Sequence, residues 1–203
     1  SVRYYDGYET KTIIEPTFAE NLHYFFSYQL NYMYWRYFLW NFVGRQDDIQ
    51  ADGETIAHGN WLSGITALDE IYLGPQSGLP REMAENPARN TYFFLPFLLG
   101  LLGLIYQLNR DQRNFVVVMW LFVMMGIALV VYFNTCPSEP RERDYVYAGS
   151  FYAFCIWIGL GVLAIRDIMG YVLGRDAKLT ATLATIIALG VPTLLAAENW
   201  DDH

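Results

Sequence analysis

The sequence has 203 residues, is 54% hydrophobic and carries a formal net charge of −8. An acidic chain of this kind lacks the basic surface that nucleic acid requires, which excludes a nucleic-acid partner. Much of the charge falls in the first 90 positions, and the remainder of the chain is dominated by long apolar runs.

Near the start, residues 17–43 read as one helix. Thr17 is followed three positions later by Glu20, the pattern of a capping box, and Pro16 precedes it. Gly44 supplies the C-terminal stop. Tyr24, Phe25, Phe26, Tyr32, Trp35, Trp40 and Phe42 load this helix with aromatic rings, while Glu20, His23, Ser27 and Asn31 form a narrow polar stripe. Rings with one dry and one wet end favour the headgroup zone, so the helix is expected to lie at the membrane interface on the outer face of a bundle. Stacking of its aromatics on sugar rings is the functional alternative to packing and lipid anchoring.

Residues 44–90 are rich in Gly and Pro and read as loop, with short helices expected around 61–72 and 81–85. His58, in a Gly-flanked loop, is expected at the surface.

Four stretches follow that contain no Asp, Glu, Lys, Arg or His: 91–108, 115–133, 146–165 and 179–197. Each is about 18–20 residues long, enough to cross a hydrocarbon core of roughly 30 Å. The expected fold is therefore an all-α polytopic membrane protein. Four transmembrane helices (91–203) are preceded by a periplasmic and interfacial segment (1–90) made of the aromatic helix and the loop-rich region. Cys136 falls in a loop and Cys155 inside the third span, so no disulfide is expected between them.

The short loops 109–114 and 166–178 are net basic, which places them in the cytoplasm by the positive-inside rule. The 134–144 loop and both ends of the segment then lie outside. Three polar clusters converge on that outer side: Gly44-Arg45-Gln46-Asp47-Asp48, Pro140-Arg141-Glu142-Arg143-Asp144, and Asn199-Trp200-Asp201-Asp202-His203. Arginine forks at membrane depth suit a lipid-linked phosphate, or else pair with neighbouring carboxylates and headgroups. Asp201, Asp202 and His203 offer ligands for a divalent metal ion, or a second role in holding the arginine loop or a substrate hydroxyl. Arg45, Asp47, Asp48, Arg141, Arg143, Asp144, Asp201, Asp202 and His203 are the candidate substrate-binding residues. No phosphate-cradling Gly loop, paired Cys-x-x-Cys or nucleophile elbow is present. The charge-free spans also speak against an ion-coupled transporter.

The stretch Tyr32-Met33-Tyr34-Trp35-Arg36-Tyr37-Phe38-Leu39-Trp40-Asn41-Phe42, with Gly44-Arg45-Gln46-Asp47-Asp48-Ile49-Gln50 behind it, resembles a hallmark of the protein O-mannosyltransferase-like membrane proteins typical of Bacteroidetes. So do Pro140-Arg141-Glu142-Arg143-Asp144-Tyr145-Val146, running into Ala148-Gly149-Ser150-Phe151-Tyr152, and Asn199-Trp200-Asp201-Asp202-His203. Asp47 stands where that family more often has Asn. The resemblance implies a GT-C-related glycosyltransferase of the bacterial inner membrane, acting on a polyprenyl-phosphate sugar and a hydroxyl acceptor such as a protein Ser or Thr. It also implies a longer protein whose catalytic base, in an acidic first periplasmic loop, lies outside these residues. The chain opens without Met and is expected to be a central fragment. The competing expectation is a non-enzymatic scaffold that assembles an envelope complex through the same aromatic belt and charged loops.

Overall fold

The computed structural model describes residues 2–5, 10–13, 15–50, 56–136, 143–173 and 177–200. The first elements are an antiparallel hairpin, β1 (Val2–Tyr5) and β2 (Thr10–Ile13). A continuous helical run follows: α1 (Phe18–Tyr24), a π-helical stretch (Phe25–Trp35) and α2 (Arg36–Phe42). Its start is fixed by the capping box. Thr17 Oγ1 accepts from the Glu20 amide, and the Glu20 carboxylate accepts from the Thr17 amide at 2.7 Å. The wider π turn, closed by bonds to the fifth residue, brings side chains four apart into register. Tyr24, Tyr28 and Tyr32 accordingly stack with centroids 5.3 and 5.5 Å apart, each pair inclined by 17°.

The run ends at Gly44, whose φ of 133° admits only glycine comfortably. A Cβ there would lie 2.4 Å from the carbonyl oxygens of both Asn90 and Leu62. This close approach lets β3 (Gly44–Arg45) pair antiparallel with β4 (Asn90–Thr91), while Arg45 also bridges Trp61. Between the strands lie α3 (Thr66–Leu73) and α4 (Arg81–Ala84).

The remaining chain is helical: α5 (Leu95–Arg110), α6 (Gln112–Met124), α7 (Ile127–Phe133), a 3-10 turn (Asp144–Tyr147), α8 (Ala148–Leu173) and α9 (Ala177–Glu198). Among the described residues, three helical stretches are long and apolar enough to cross a membrane: Gln112–Phe133, Asp144–Val172 and Lys178–Glu198. The first expected span comes out shorter. Thr91 is taken up in β4, and Phe93 and Phe94 have left-handed φ values of 51° and 59°, so α5 begins only at Leu95. Its 16 residues reach roughly 24 Å at 1.5 Å each.

α5 and α8 are the closest pair. Glycines make this possible: a Cβ on Gly103 would sit 1.7 Å from the Trp157 carbonyl oxygen, and one on Gly161 would sit 2.3 Å from that of Leu99. Trp157 is fully buried, and its indole N–H donates to Gln107 Oε1 at 2.7 Å, which satisfies both polar groups in an apolar setting.

The aromatic run is part of this core. Tyr34, Phe38 and Phe42 pack with Phe122, Tyr147, Phe154 and Trp157 in one cluster. Helix α6 breaks at Met125–Gly126, so the Phe122 carbonyl loses its regular helical partner. Ser150 Oγ donates to that carbonyl at 2.9 Å and sits 2.6 Å from Tyr34 Oη. Since a hydroxyl has one proton, Tyr34 is the donor to Ser150. One short polar chain thus ties the aromatic run, the broken helix and the start of α8. No disulfide joins Cys136 and Cys155.

Candidate functional site

The turns of the chain put its polar segments at one end of the bundle. α5 starts there, α7 returns to it, α8 leaves from it and α9 ends at it. Hydrogen bonds fasten the ends together. The Thr91 amide donates to Glu198 Oε2 at 3.1 Å, Asn199 Nδ2 donates to Tyr92 Oη at 2.9 Å, and Asn90 Nδ2 donates to Asn199 Oδ1 at 3.2 Å. On the other flank, Tyr24 Oη donates to the Thr135 carbonyl at 2.7 Å and Gln29 Nε2 to Asn134 Oδ1 at 2.8 Å. The described part of the loop-rich segment, Asn134 and Thr135 after α7, and the end of α9 therefore share this end.

Two buried carboxylates organise the loops. Asp47 Oδ1 accepts from the amides of Gly59 (2.9 Å) and Ile49 (3.2 Å), while Oδ2 lies 2.8 Å from His58 Nδ1. Asp69 Oδ1 accepts from the Ser63 amide (2.9 Å) and hydroxyl (2.7 Å), and Oδ2 from the Gly64 amide (2.8 Å). Each is 3% exposed, so burial without these donors would be costly. Asp69 also explains why α3 begins at Thr66, later than the sequence suggests: the preceding loop is folded around its carboxylate.

Arg36 is buried and lies over Tyr32 and Tyr37, its guanidinium carbon 4.1 and 4.4 Å from their ring centroids, with Trp40 at 5.5 Å. Its Nη1 donates to the Gly59 carbonyl. Arg45 Nε donates to the Ala88 carbonyl at 3.0 Å. Arg89 donates through Nη2 to Gln76 Oε1 at 2.9 Å; its other terminal nitrogen, Nη1, is buried without a hydrogen-bond partner among the described residues. Burial pulls the Arg89 proton affinity down, and the negative charges of Asp69 and Asp47 oppose that. Tyr72 stacks on Trp61 at 4.9 Å and donates to Asn60 Oδ1 at 3.2 Å; burial raises its hydroxyl above the usual range, with Arg36 acting against the shift.

Among the residues marked from sequence, Asp47 and Arg45 belong to this folded wall, and Asp48 is exposed beside it. His58, expected as a surface residue, has a side chain 41% exposed and pairs with Asp47. Arg143 and Asp144 are exposed at the head of α8, where the Val146 amide donates to the Arg143 carbonyl and opens the 3-10 turn. Arg141, Asp201, Asp202 and His203 lie outside the described residues, and with them the expected metal ligands. Among the described residues no three His, Cys, Asp or Glu side chains group as a metal site.

Arg36, Asp69 and Arg89 were not singled out from sequence. For Arg36 a signal exists: aromatic residues at −4, +1 and +4 surround it on a helix. Compared with protein-family models, with curated proteins and with solved structures, the chain has no match.

Proposed function

We propose that this chain is the central membrane segment of a GT-C-like glycosyltransferase of the bacterial inner membrane, moving a sugar from a polyprenyl-phosphate donor to a hydroxyl acceptor such as protein Ser or Thr. The observation that supports the reading is that the described members of the three motif clusters, Gly44–Asp48, Arg143–Asp144 and Asn199–Trp200, lie at one end of an apolar helical bundle. A lipid-linked donor presents its phosphate at that depth, with its tail in the bilayer.

In this reading the cap faces the periplasm, α5 serves as a fourth and shorter span held against α8, and only the exposed first part of the aromatic run, α1, lies along the interface, since α2 packs into the bundle core. Arg143, with Arg141, binds the donor phosphate at the head of α8, where the helix N-terminus adds partial positive charge. These cations stabilise the charge that builds on the leaving phosphate. Asp144, Asp201, Asp202 and His203 orient the arginines or the acceptor. Asp47 and Asp69 form a wall, because their oxygens are engaged by loop donors. That commitment supports a catalytic base supplied from outside these residues.

The test is transfer by the full-length protein, reconstituted with a polyprenyl-phosphate sugar and a Ser/Thr acceptor peptide. Replacing Arg141 and Arg143 with Gln should remove about 1.5–3 kcal/mol of stabilisation for each charge-assisted bond. Undiminished transfer by that variant removes the phosphate role. Absence of transfer by the wild-type protein with any lipid-linked sugar favours the scaffold reading.

A further inference from the structure

We infer that the end of the bundle opposite the cap carries a binding site for an anionic phospholipid, with its headgroup on Arg110 and Arg166 and an acyl chain in the groove between α5 and α9. The groove is apolar, about 540 Å3 in volume, and lined by Leu98 and Leu102 of α5, Ile165 of α8, and Gly190, Val191 and Leu194 of α9. Its wall on α8 stops at Ile165, and the next residue, Arg166, begins a charged cluster. Arg166 donates to Asp167 Oδ1 through Nε at 2.9 Å and Nη2 at 2.6 Å, while Arg110 Nη2 reaches Asp167 Oδ2 at 3.0 Å. Two arginines thus share one carboxylate, and with Asp111, Arg113 and Lys178 at the same end the described side chains carry four positive charges against two negative. Both keep their side chains accessible, at 67% for Arg110 and 39% for Arg166.

Charge and length select the occupant. The cluster attracts an anion, and Tyr106, whose ring lies 5.9 Å from the Arg110 guanidinium, has the amphipathic character of an interfacial residue. Arg110 ends α5, and Leu102 lies eight residues back, roughly 12 Å along the helix. One leaflet of hydrocarbon is about 15 Å deep, so an acyl chain whose headgroup sits at Arg110 extends into the groove past Leu102. A free anion would meet the cluster but leave the groove unused. A zwitterionic lipid would fill the groove with little gain at the cluster. The anionic two-part ligand satisfies both surfaces.

This inference rests on the membrane reading, which carbonate extraction tests separately: a protein released by carbonate fails that reading. For the site itself, the full-length protein in mild detergent is exposed to phosphatidylglycerol, phosphatidylcholine or inorganic phosphate. Retained lipid is counted by native mass spectrometry, and the unfolding midpoint is measured. Phosphatidylglycerol should be retained over phosphatidylcholine and should raise the midpoint, with phosphate inert. Arg110→Gln and Arg166→Gln should each lower that preference about fivefold. Asp167→Asn, which removes the competing carboxylate, should raise it. Gly190→Leu is independent of the charges. An added Cβ at Gly190 meets nothing within 4 Å, so the side chain can fill the groove and should reduce retention of both lipids. Equal retention of the two lipids by the wild-type protein, an unchanged preference in the double Gln variant, or a midpoint rise reproduced by phosphate would overturn the site.

Discussion

Arg36 and Asp47 hold the same residue from its two sides. The guanidinium donates to the Gly59 carbonyl, and the carboxylate accepts from the Gly59 amide at 2.9 Å. Gly59 has φ of 69°, a left-handed conformation that glycine adopts without strain. The aromatic run and the loop after it are therefore locked through one residue, gripped on its two flanking peptide groups, and the lock is buried. Opposite charges stabilise it from the two sides, and the backbone of Gly59 is what they share.

Removing one partner should loosen the cap more than removing an exposed charge. Arg36→Ala deletes the donor to Gly59 and empties the space between Tyr32, Tyr37 and Trp40. The expected loss is about 2–4 kcal/mol, from a charge-assisted bond and a cation–aromatic contact. Limited proteolysis should show faster cleavage within residues 56–65, with cleavage elsewhere little changed. A protection pattern equal to the wild type would show that Arg36 does not hold the loop.

The α5–α8 crossing predicts a sharp position dependence for Gly→Ala. At Gly103 the new Cβ would lie 1.7 Å from the Trp157 carbonyl oxygen, so the backbones must separate. The expected loss is at or above the roughly 1–3 kcal/mol typical of overpacking. At Gly159 and Gly170 nothing lies within 4 Å, and the same substitution should be neutral or mildly stabilising. Thermal unfolding of the three variants side by side distinguishes this from a general intolerance of the helices.

The Tyr34–Ser150–Phe122 chain should behave as a coupled unit. Tyr34→Phe removes the donor to Ser150, and Ser150→Ala leaves the Phe122 carbonyl without its hydroxyl partner. Each is expected to lower stability by about 1–3 kcal/mol, and the double variant by less than the sum. Strict additivity in a double-mutant cycle would mean that the hydroxyls act independently.

Local signals in the sequence carried the helix starts well. The Thr17/Glu20 box and the Gly44 stop bound the aromatic run as expected, and three of the apolar stretches are long helices. What was not legible is non-local. Thr91 reads as the first residue of a span, but it pairs with Gly44, forty-seven positions earlier, and α5 is shortened as a result. Asp69 looks like an ordinary helix-surface acid until the loop from Ser63 to Gly64 folds back on it. Of the candidate site, span counting alone brings the described residues Arg45, Asp47, Arg143, Asp144 and Asn199 to one end of the bundle. Burial and hydrogen-bond saturation at Asp47 required the loop around Gly59, which no periodicity announces.

The membrane reading itself makes a prediction through the two cysteines. Cys136 follows α7 at the capped end, and Cys155 lies in α8; both are exposed on the surface of the protein. In water, exposure would make both thiols reactive. If α8 spans the bilayer, the surface around Cys155 is covered by lipid, where a charged reagent does not enter and a thiolate does not form. In cells with permeabilised outer membranes, an impermeant thiol reagent should therefore label Cys136 and spare Cys155, and denaturation in detergent should release the second site. A Cys136→Ser variant isolates the second thiol and a Cys155→Ser variant the first. Labelling of Cys155 in intact membranes would remove α8 from the bilayer. Labelling of Cys136 only after inner-membrane lysis would leave α8 in place and turn the capped end, with Arg143 and Asp144, to the cytoplasm.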